Sequence, residues 1–149
     1  MPARIRLAFR FLRTSCFNYG VNAIVPRFVI LHHETPAKSL RATHWDFMLE
    51  WGDVLRTWAL AAEPCDAIPL SAEALADHRT AYLQYEGPVS GDRGHVTQWD
   101  AGQFELTSAS DDELRCELRG GRLVGTAMLS RSEKSHGGDQ RWTFLFRNK

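Results

Sequence analysis

No apolar stretch in this chain approaches the ~20 residues that a membrane-spanning helix needs, and no membrane partner is expected. At the N-terminus, arginines interrupt Leu7, Phe9, Phe11, Leu12 and Phe17. The uninterrupted apolar segment of a secretory signal is therefore missing. Cysteine is scarce: Cys16, Cys65 and Cys116 are odd in number, and no pair has the CxxC spacing of a zinc knuckle or redox motif. Reduced cysteines in a cytoplasmic protein are the expectation. There is no excess of either charge, with 18 basic and 18 acidic side chains. The balance is uneven, however. Residues 1–27 hold Arg4, Arg6, Arg10, Arg13 and Arg27 and no acid, which leaves the rest of the chain with a net of −5. That body lacks the basic balance of a general nucleic-acid binder. Any nucleic-acid contact has to be local, or helped by a bound cation. Internal repeats are absent as well.

What is present is a length of 149 residues, enough for one domain with a single core. Residues 1–26 read as a basic extension outside the functional core, and residues 27–149 as the domain. Within it, His44-Trp45-Asp46-Phe47-Met48-Leu49-Glu50-Trp51 alternates without a break. Side chains on a strand repeat every two residues. His44, Asp46, Met48 and Glu50 therefore share one face, while Trp45, Phe47, Leu49 and Trp51 form a core face. Strands are also expected at 27–31, 54–60, 81–85, 95–100, 103–106, 114–118, 123–129 and 142–146. Ala101-Gly102 reads as a tight hairpin turn, and Gly120-Gly121 as another turn. Ser71 to Ala76 has helical composition with a serine cap. Residues 86–94 and 130–140 read as loops. Many short strands at regular spacing predict a mostly β (α+β) single-domain barrel with minor helices.

A histidine and a carboxylate two residues apart on a rigid strand are half of a divalent metal site. His33 ends the preceding strand. If the two strands are neighbours, His33, His44 and Asp46 meet at one end of the sheet. Two imidazoles and a carboxylate suit Mn²⁺, Zn²⁺ or Fe²⁺. Chemistry leaves His32 and His33 equivalent, since adjacent strand residues face opposite ways. His78 and Tyr82, four residues apart, return to one face. A histidine and a tyrosine beside a metal can bind a phosphate oxygen or donate a proton to a leaving group. His95 and His136 read as solvated.

Taken together the motifs resemble a known family. In order they are Phe-Val-Ile-Leu-His-His (28–33), His-Trp-Asp-Phe-Met-Leu-Glu (44–50), Val-Leu-Arg-Thr-Trp-Ala-Leu (54–60), Asp-His-Arg-Thr-Ala-Tyr (77–82), Tyr-Glu-Gly (85–87), Trp-Asp-Ala-Gly (99–102), Gly-Arg-Leu-Val-Gly (121–125) and Arg-Trp-Thr-Phe-Leu (141–145). The series resembles the 3′-phosphoesterase domain of bacterial DNA ligase D and its free-standing relatives, over roughly residues 27 to 147. The resemblance implies a compact β barrel. It also implies a Mn²⁺-dependent enzyme that trims nucleic-acid 3′ ends, removing a terminal ribonucleotide and then the 3′-phosphate. By position it makes His33, His44 and Asp46 the metal ligands, and His78 and Tyr82 the pair at the scissile phosphate. At 149 residues no ligase or polymerase is expected alongside, so a repair role implies a ligase or repair proteins encoded elsewhere as partners.

The resemblance is incomplete in its charges. Met48 stands where the family strand, His-Tyr-Asp-Phe-Arg-Leu-Glu, has arginine. Ala62 replaces a basic residue, and Leu70 and its neighbours lack the arginine that precedes the family's Asp-His. Losing one such clamp typically lowers a rate by about 10²–10³. Arg41, Arg79 and Arg93 are the substitutes that loops can offer. The expectation is a metal-dependent phosphoesterase of nucleic-acid ends. The alternative is a catalytically weakened or inactive relative that binds a metal or a nucleic-acid end. A metalloenzyme for a less charged substrate is a third reading.

Overall fold

The alternation over residues 44–51 sets up the wall on which the site is built. A computed structural model describes residues 24–132 and 141–149. Its strands are β1 (Arg27–Glu34), β2 (His44–Trp51), β3 (Val54–Leu60), β4 (Leu70–Arg79), β5 (Gly87–Pro88), β6 (His95–Ala109), β7 (Glu113–Gly120), β8 (Val124–Arg131) and β9 (Arg141–Asn148). One sheet runs β1-β2-β3-β4-β9-β8-β7-β6-β5, and β1 also pairs with β6. The eight long strands thus close into an antiparallel barrel, and closure removes the free edges that an open sheet exposes. A short 3₁₀ helix, Thr80–Gln84, is the one helix among the described residues.

Each long strand sends alternate side chains inward. Phe28, Phe47, Trp58, Phe104, Leu118, Leu129, Trp142 and Phe144 belong to one buried cluster that fills the barrel. The opposite faces of β1, β2, β3 and β6 carry a second, smaller cluster of Val29, Leu31, Met48, Leu55 and Val96, covered by Leu83 of the 3₁₀ helix. Burying a side chain of this size stabilises by about 1.5–3 kcal/mol, so the outer cluster anchors the 3₁₀ helix to the wall. Tyr82, Tyr85 and Val89 pack around its margin.

Several local expectations need correction. Residues 71–76 are the heart of β4 and not a helix. Leu70 and Ala72 are buried against the core, and alanine's helix propensity is overridden by the pairing that β3 and β9 demand on either side. Residues 81–85 are not a strand, because the chain turns there in the 3₁₀ helix that caps the outer cluster. Ala101-Gly102 is no hairpin: β6 runs unbroken for 15 residues. Gly102 is needed because its backbone passes so close to β7 that a Cβ there would lie 2.1 Å from the Arg119 carbonyl oxygen. The 86–94 loop contains the two-residue strand β5. The loop expected over 130–140 is strand through Arg131, and residues 133–140 lie outside the described residues. Residues 1–23 of the expected extension also lie outside them.

Candidate metal centre and cleft

β1 and β2 pair with His33 opposite His44 and Leu31 opposite Asp46. His44 and Asp46 are two residues apart, so both share the outer face with His33. The three side chains converge there, with one ligand atom from each lying within 4.8 Å of the others. His33 Nδ1 is 3.2 Å from Asp46 Oδ2, and His44 Nε2 is 3.1 Å from Asp46 Oδ1. His32 faces the other way and stacks on Trp45, with ring centroids 4.6 Å apart. Strand parity therefore puts His33 in the group and His32 outside it.

The far nitrogens of both rings are fixed by backbone. His33 Nε2 is 2.7 Å from the Arg93 carbonyl oxygen, and His44 Nδ1 is 2.8 Å from that of Ala42. A carbonyl only accepts, so these nitrogens carry the ring protons. In the neutral imidazoles, His33 Nδ1 and His44 Nε2 then turn bare lone pairs toward a carboxylate. Asp46 is 3 % exposed, and its Oδ1 makes no hydrogen bond of good geometry among the described residues. Lone pairs crowded in a buried wall repel unless a cation or a proton sits among them. The donor set fits a divalent metal: adjacent ligands of a common ion, with bonds of about 2.1 Å, lie roughly 3.0–3.4 Å apart. Backbone partners on the distal ring nitrogens are the usual supports of metal-binding histidines.

The electrostatics follow. Burial pushes the Asp46 carboxyl up, but His33 and His44, which offer it a hydrogen bond and a positive charge when their rings carry a second proton, outweigh burial and bring it down to about 2. The hydrogen bond to Asp46 raises His33 above its ordinary value, opposed by desolvation and by the nearby Arg93 charge.

A cleft of about 260 Å³ opens beside the group, bordered by His33 and Asp46. Leu31, Met48, Val89 and Val96 supply apolar surface to it. His78 lies opposite Leu55 in the β3–β4 pairing, on the same outer face. Its Nδ1 is 2.9 Å from the Ala76 carbonyl oxygen, which leaves Nε2 as the nitrogen available to the cleft. Tyr82 reaches the same cleft from the 3₁₀ helix, edge-on to His78 at 5.6 Å between ring centroids. The two thus meet across a strand–helix junction and not along one strand. Tyr82 is buttressed in turn by Tyr85, whose hydroxyl donates to the Pro88 carbonyl oxygen.

Residues 32–131 match the DNA Ligase D 3′-phosphoesterase domain. The chain belongs to the DNA ligase D 3′-phosphoesterase domain family. Its relatives include the multifunctional non-homologous end joining DNA repair protein LigD of Mycobacterium tuberculosis and the LigD of Mycobacterium bovis. Each is 34% identical over 114 residues, covering 70% of this chain and 14% of the relative. The chain therefore corresponds to a small part of those multifunctional proteins.

Within this family member, the three arginines left unplaced by sequence part company. Arg41 is held by Glu73, with Nη1 2.6 Å from Oε2, beside a separate cleft that His44 also borders. Arg79 and Arg93 both line the cleft of His78 and Tyr82. Sequence reasoning gave no role to the carbonyls of Ala42 and Arg93. Backbone groups carry no side-chain signature, so only the fold reveals them.

Proposed function

We propose that this barrel is a metal-dependent phosphoesterase that processes nucleic-acid 3′ ends in DNA repair. The reading rests on one observation above all: in a chain of this family, His33, His44 and Asp46 converge with their lone pairs turned inward, next to a cleft holding His78 and Tyr82. His33, His44 and Asp46 hold the cation, with Mn²⁺ the first candidate and Zn²⁺ or another divalent ion the others. When bound, the cation supplies Lewis-acid stabilisation of phosphoryl negative charge. Asp46 contributes the one anionic ligand. The carbonyls of Ala42 and Arg93 keep both rings in the tautomers that ligation requires. As a water attacks phosphorus and the bond to the leaving oxygen breaks, His78 in its imidazolium form gives its Nε2 proton to that oxygen, and the Tyr82 hydroxyl donates to a phosphate oxygen. Leu31, Met48, Val89 and Val96 keep bulk water off one side of the cleft, which strengthens each of these polar interactions.

The substrate is a 3′-terminal ribonucleotide or 3′-phosphate on a nucleic-acid strand, and the product is a 3′-hydroxyl fit for joining. Ligation itself falls to partners outside the barrel, in keeping with relatives that are multifunctional end-joining repair proteins. The test is incubation of purified protein with Mn²⁺ and a primer ending in a ribonucleotide or a 3′-phosphate. The expected result is product release that His44→Ala abolishes. Turnover no greater than that of His44→Ala would sink the reading. The second reading, an end-binding module with little or no turnover, draws on Met48, an uncharged and buried residue of the cleft wall. Metal-dependent binding of the same primer without product would favour it.

A further inference from the structure

The cleft beside the proposed metal centre has a wall that cannot hold an anion and a rim that can. Leu31, Met48, Val89 and Val96 offer no donor. Arg79 and Arg93 border the same cleft from two different elements, the end of β4 and the loop before β6. Neither guanidinium has a carboxylate within ion-pair distance among the described residues. The acid next to Arg93, Asp92, is engaged instead by Lys38, whose Nζ lies 3.2 Å from its Oδ2. Asp46 and Asp77 also border the cleft, so its lining carries two arginines against two carboxylates, one of which, Asp46, belongs to the proposed metal centre.

The two arginines are held differently. Arg93 is pre-oriented: its Nε donates to the Ser90 carbonyl oxygen at 2.6 Å and its Nη2 to Ser90 Oγ at 3.1 Å. The loop around it is itself constrained. Gly91, Asp92 and Gly94 all have positive φ, and a Cβ on Gly94 would lie 1.9 Å from the Glu34 carbonyl oxygen. That close approach presses the loop onto β1, where the Arg93 carbonyl meets His33. A single residue thus supports the metal centre through its backbone and offers charge to the cleft through its side chain. Nη1 remains free to donate, at little further entropic cost. Arg79 follows His78 directly and makes no side-chain hydrogen bond among the described residues.

We propose that Arg79 and Arg93 form a two-sided clamp for the terminal phosphate of the substrate, placed at the cleft rim and supplying the charge that Met48 cannot. The inference rests on the phosphoesterase reading and assigns the recognised group, a 3′-terminal phosphate oxygen cluster and not the bases of the strand. Guanidinium groups suit this task because two of their donors meet two phosphate oxygens together. Two elements contribute one arginine each to the cleft that His78 and Tyr82 also line.

The test uses fluorescently labelled single-stranded DNA ending in a 3′-phosphate and the same strand ending in a 3′-hydroxyl. Binding is measured with Mn²⁺ by anisotropy over a range of salt, alongside turnover. Arg79→Gln and Arg93→Gln should each weaken binding of the 3′-phosphate strand about tenfold and leave the 3′-hydroxyl strand nearly unchanged. The slope of log affinity against log salt should fall by about one per arginine. Arg93→Lys keeps a charge on the same loop and should recover part of the loss, which separates charge from loop folding. Arg115→Gln, on β7 beside Glu113, removes a charge elsewhere and should change nothing. If the wild type distinguishes the two ends but the glutamine variants bind as it does, the clamp is overturned and the phosphoesterase reading stands. If the wild type neither distinguishes the ends nor cleaves either, both fall together.

Discussion

Two imidazoles and a carboxylate pressed together in a buried wall need positive charge among them, and either a proton or a metal can supply it. The hydrogen bond to Asp46 holds His33 above its ordinary value of 6.5. The folded protein therefore binds that proton more tightly than the unfolded chain does. Its contribution to stability is fully present below the unfolded value and is lost as pH rises through the folded one. Asp46, brought down to about 2 against the push of burial, works in the other direction. Its contribution is present above the ordinary carboxylate range and is lost only in strong acid. Metal-free protein should accordingly lose thermal stability as pH rises above the ordinary histidine value of 6.5. Added Mn²⁺ should restore it, and more at the higher pH, because metal and proton compete for the same lone pairs. Thermal melts across pH, with and without Mn²⁺, check this, and elemental analysis gives the metal content. Asp46→Ala should flatten the pH slope, abolish the Mn²⁺ effect and bring the metal content to background. A melt of Asp46→Ala that still responds to Mn²⁺ would count against the site. Much of the grouping was legible in the sequence, because the period of a strand puts His44 and Asp46 on one face without any tertiary knowledge. The choice of His33 over His32 was not, since it depends on which face of β1 points into the barrel. The placement of Arg79 and Arg93 was not legible either, because it depends on how a loop and a strand end fold over the outer cluster.

At the level of elements, β2 and β3 were readable because their own patterns agree with their surroundings. β4 was not. Leu70-Ser-Ala-Glu-Ala-Leu carries an alternating pattern hidden under helix-forming residues. Ala72 sits opposite Trp142 on β9, and Ala74 opposite Trp58 on β3, so small side chains make room for indoles whose centroids lie 5.9 Å apart. Those alanines are set by the neighbours' bulk, which local propensity cannot see. In β6, Ala101-Gly102 carries a turn signal inside an unbroken strand for a similar reason. Its glycine marks a close approach to β7, and Asp100 is the residue that holds the β7–β8 turn. Asp100 is buried, and its Oδ1 accepts from the backbone N–H groups of Ala101, Gly121 and Arg122, at 2.9, 2.8 and 3.0 Å. Its Oδ2 accepts from Leu123 N–H at 2.8 Å. Hydrogen bonds to a charged group contribute about 1.5–3 kcal/mol each at most, and they are not additive. Asp100→Ala leaves the buried Leu123 N–H and three part-buried N–H donors without their acceptor and should cost about 3 kcal/mol. Denaturant melts measure the loss, and a change below about 1 kcal/mol would mean that water replaces the carboxylate without penalty.

At the scale of the molecule the described strands form a closed barrel, and closure makes its two described cysteines behave in opposite ways. Cys65 is exposed in the β3–β4 connection, whereas Cys116 is fully buried on β7, hydrogen-bonded on both sides through β6 and β8. Burial pushes the Cys116 thiol up to about 12, the neighbouring Glu117 charge adding to the effect. The reactive species is the thiolate, so Cys116 is shielded both by packing and by its protonation. Among the long strands none offers a free edge that can fray away to expose it. Opening the barrel at β7 breaks ladders on both sides and empties part of the shared core, so labelling of Cys116 should require global unfolding. At neutral pH an alkylating reagent should mark Cys65 within minutes and leave Cys116 untouched, as read by peptide mass spectrometry. When opening and closing outpace labelling, the Cys116 rate follows the equilibrium population of open molecules. Asp100→Ala should then speed Cys116 labelling by the factor its denaturant melt gives, roughly 100-fold for about 3 kcal/mol. Agreement between the two factors would show the barrel opening as one cooperative unit. Labelling far faster than the melt allows would mean that β7 detaches locally, and that the closed wall carrying His33, His44 and Asp46 is stabilised independently of the far side.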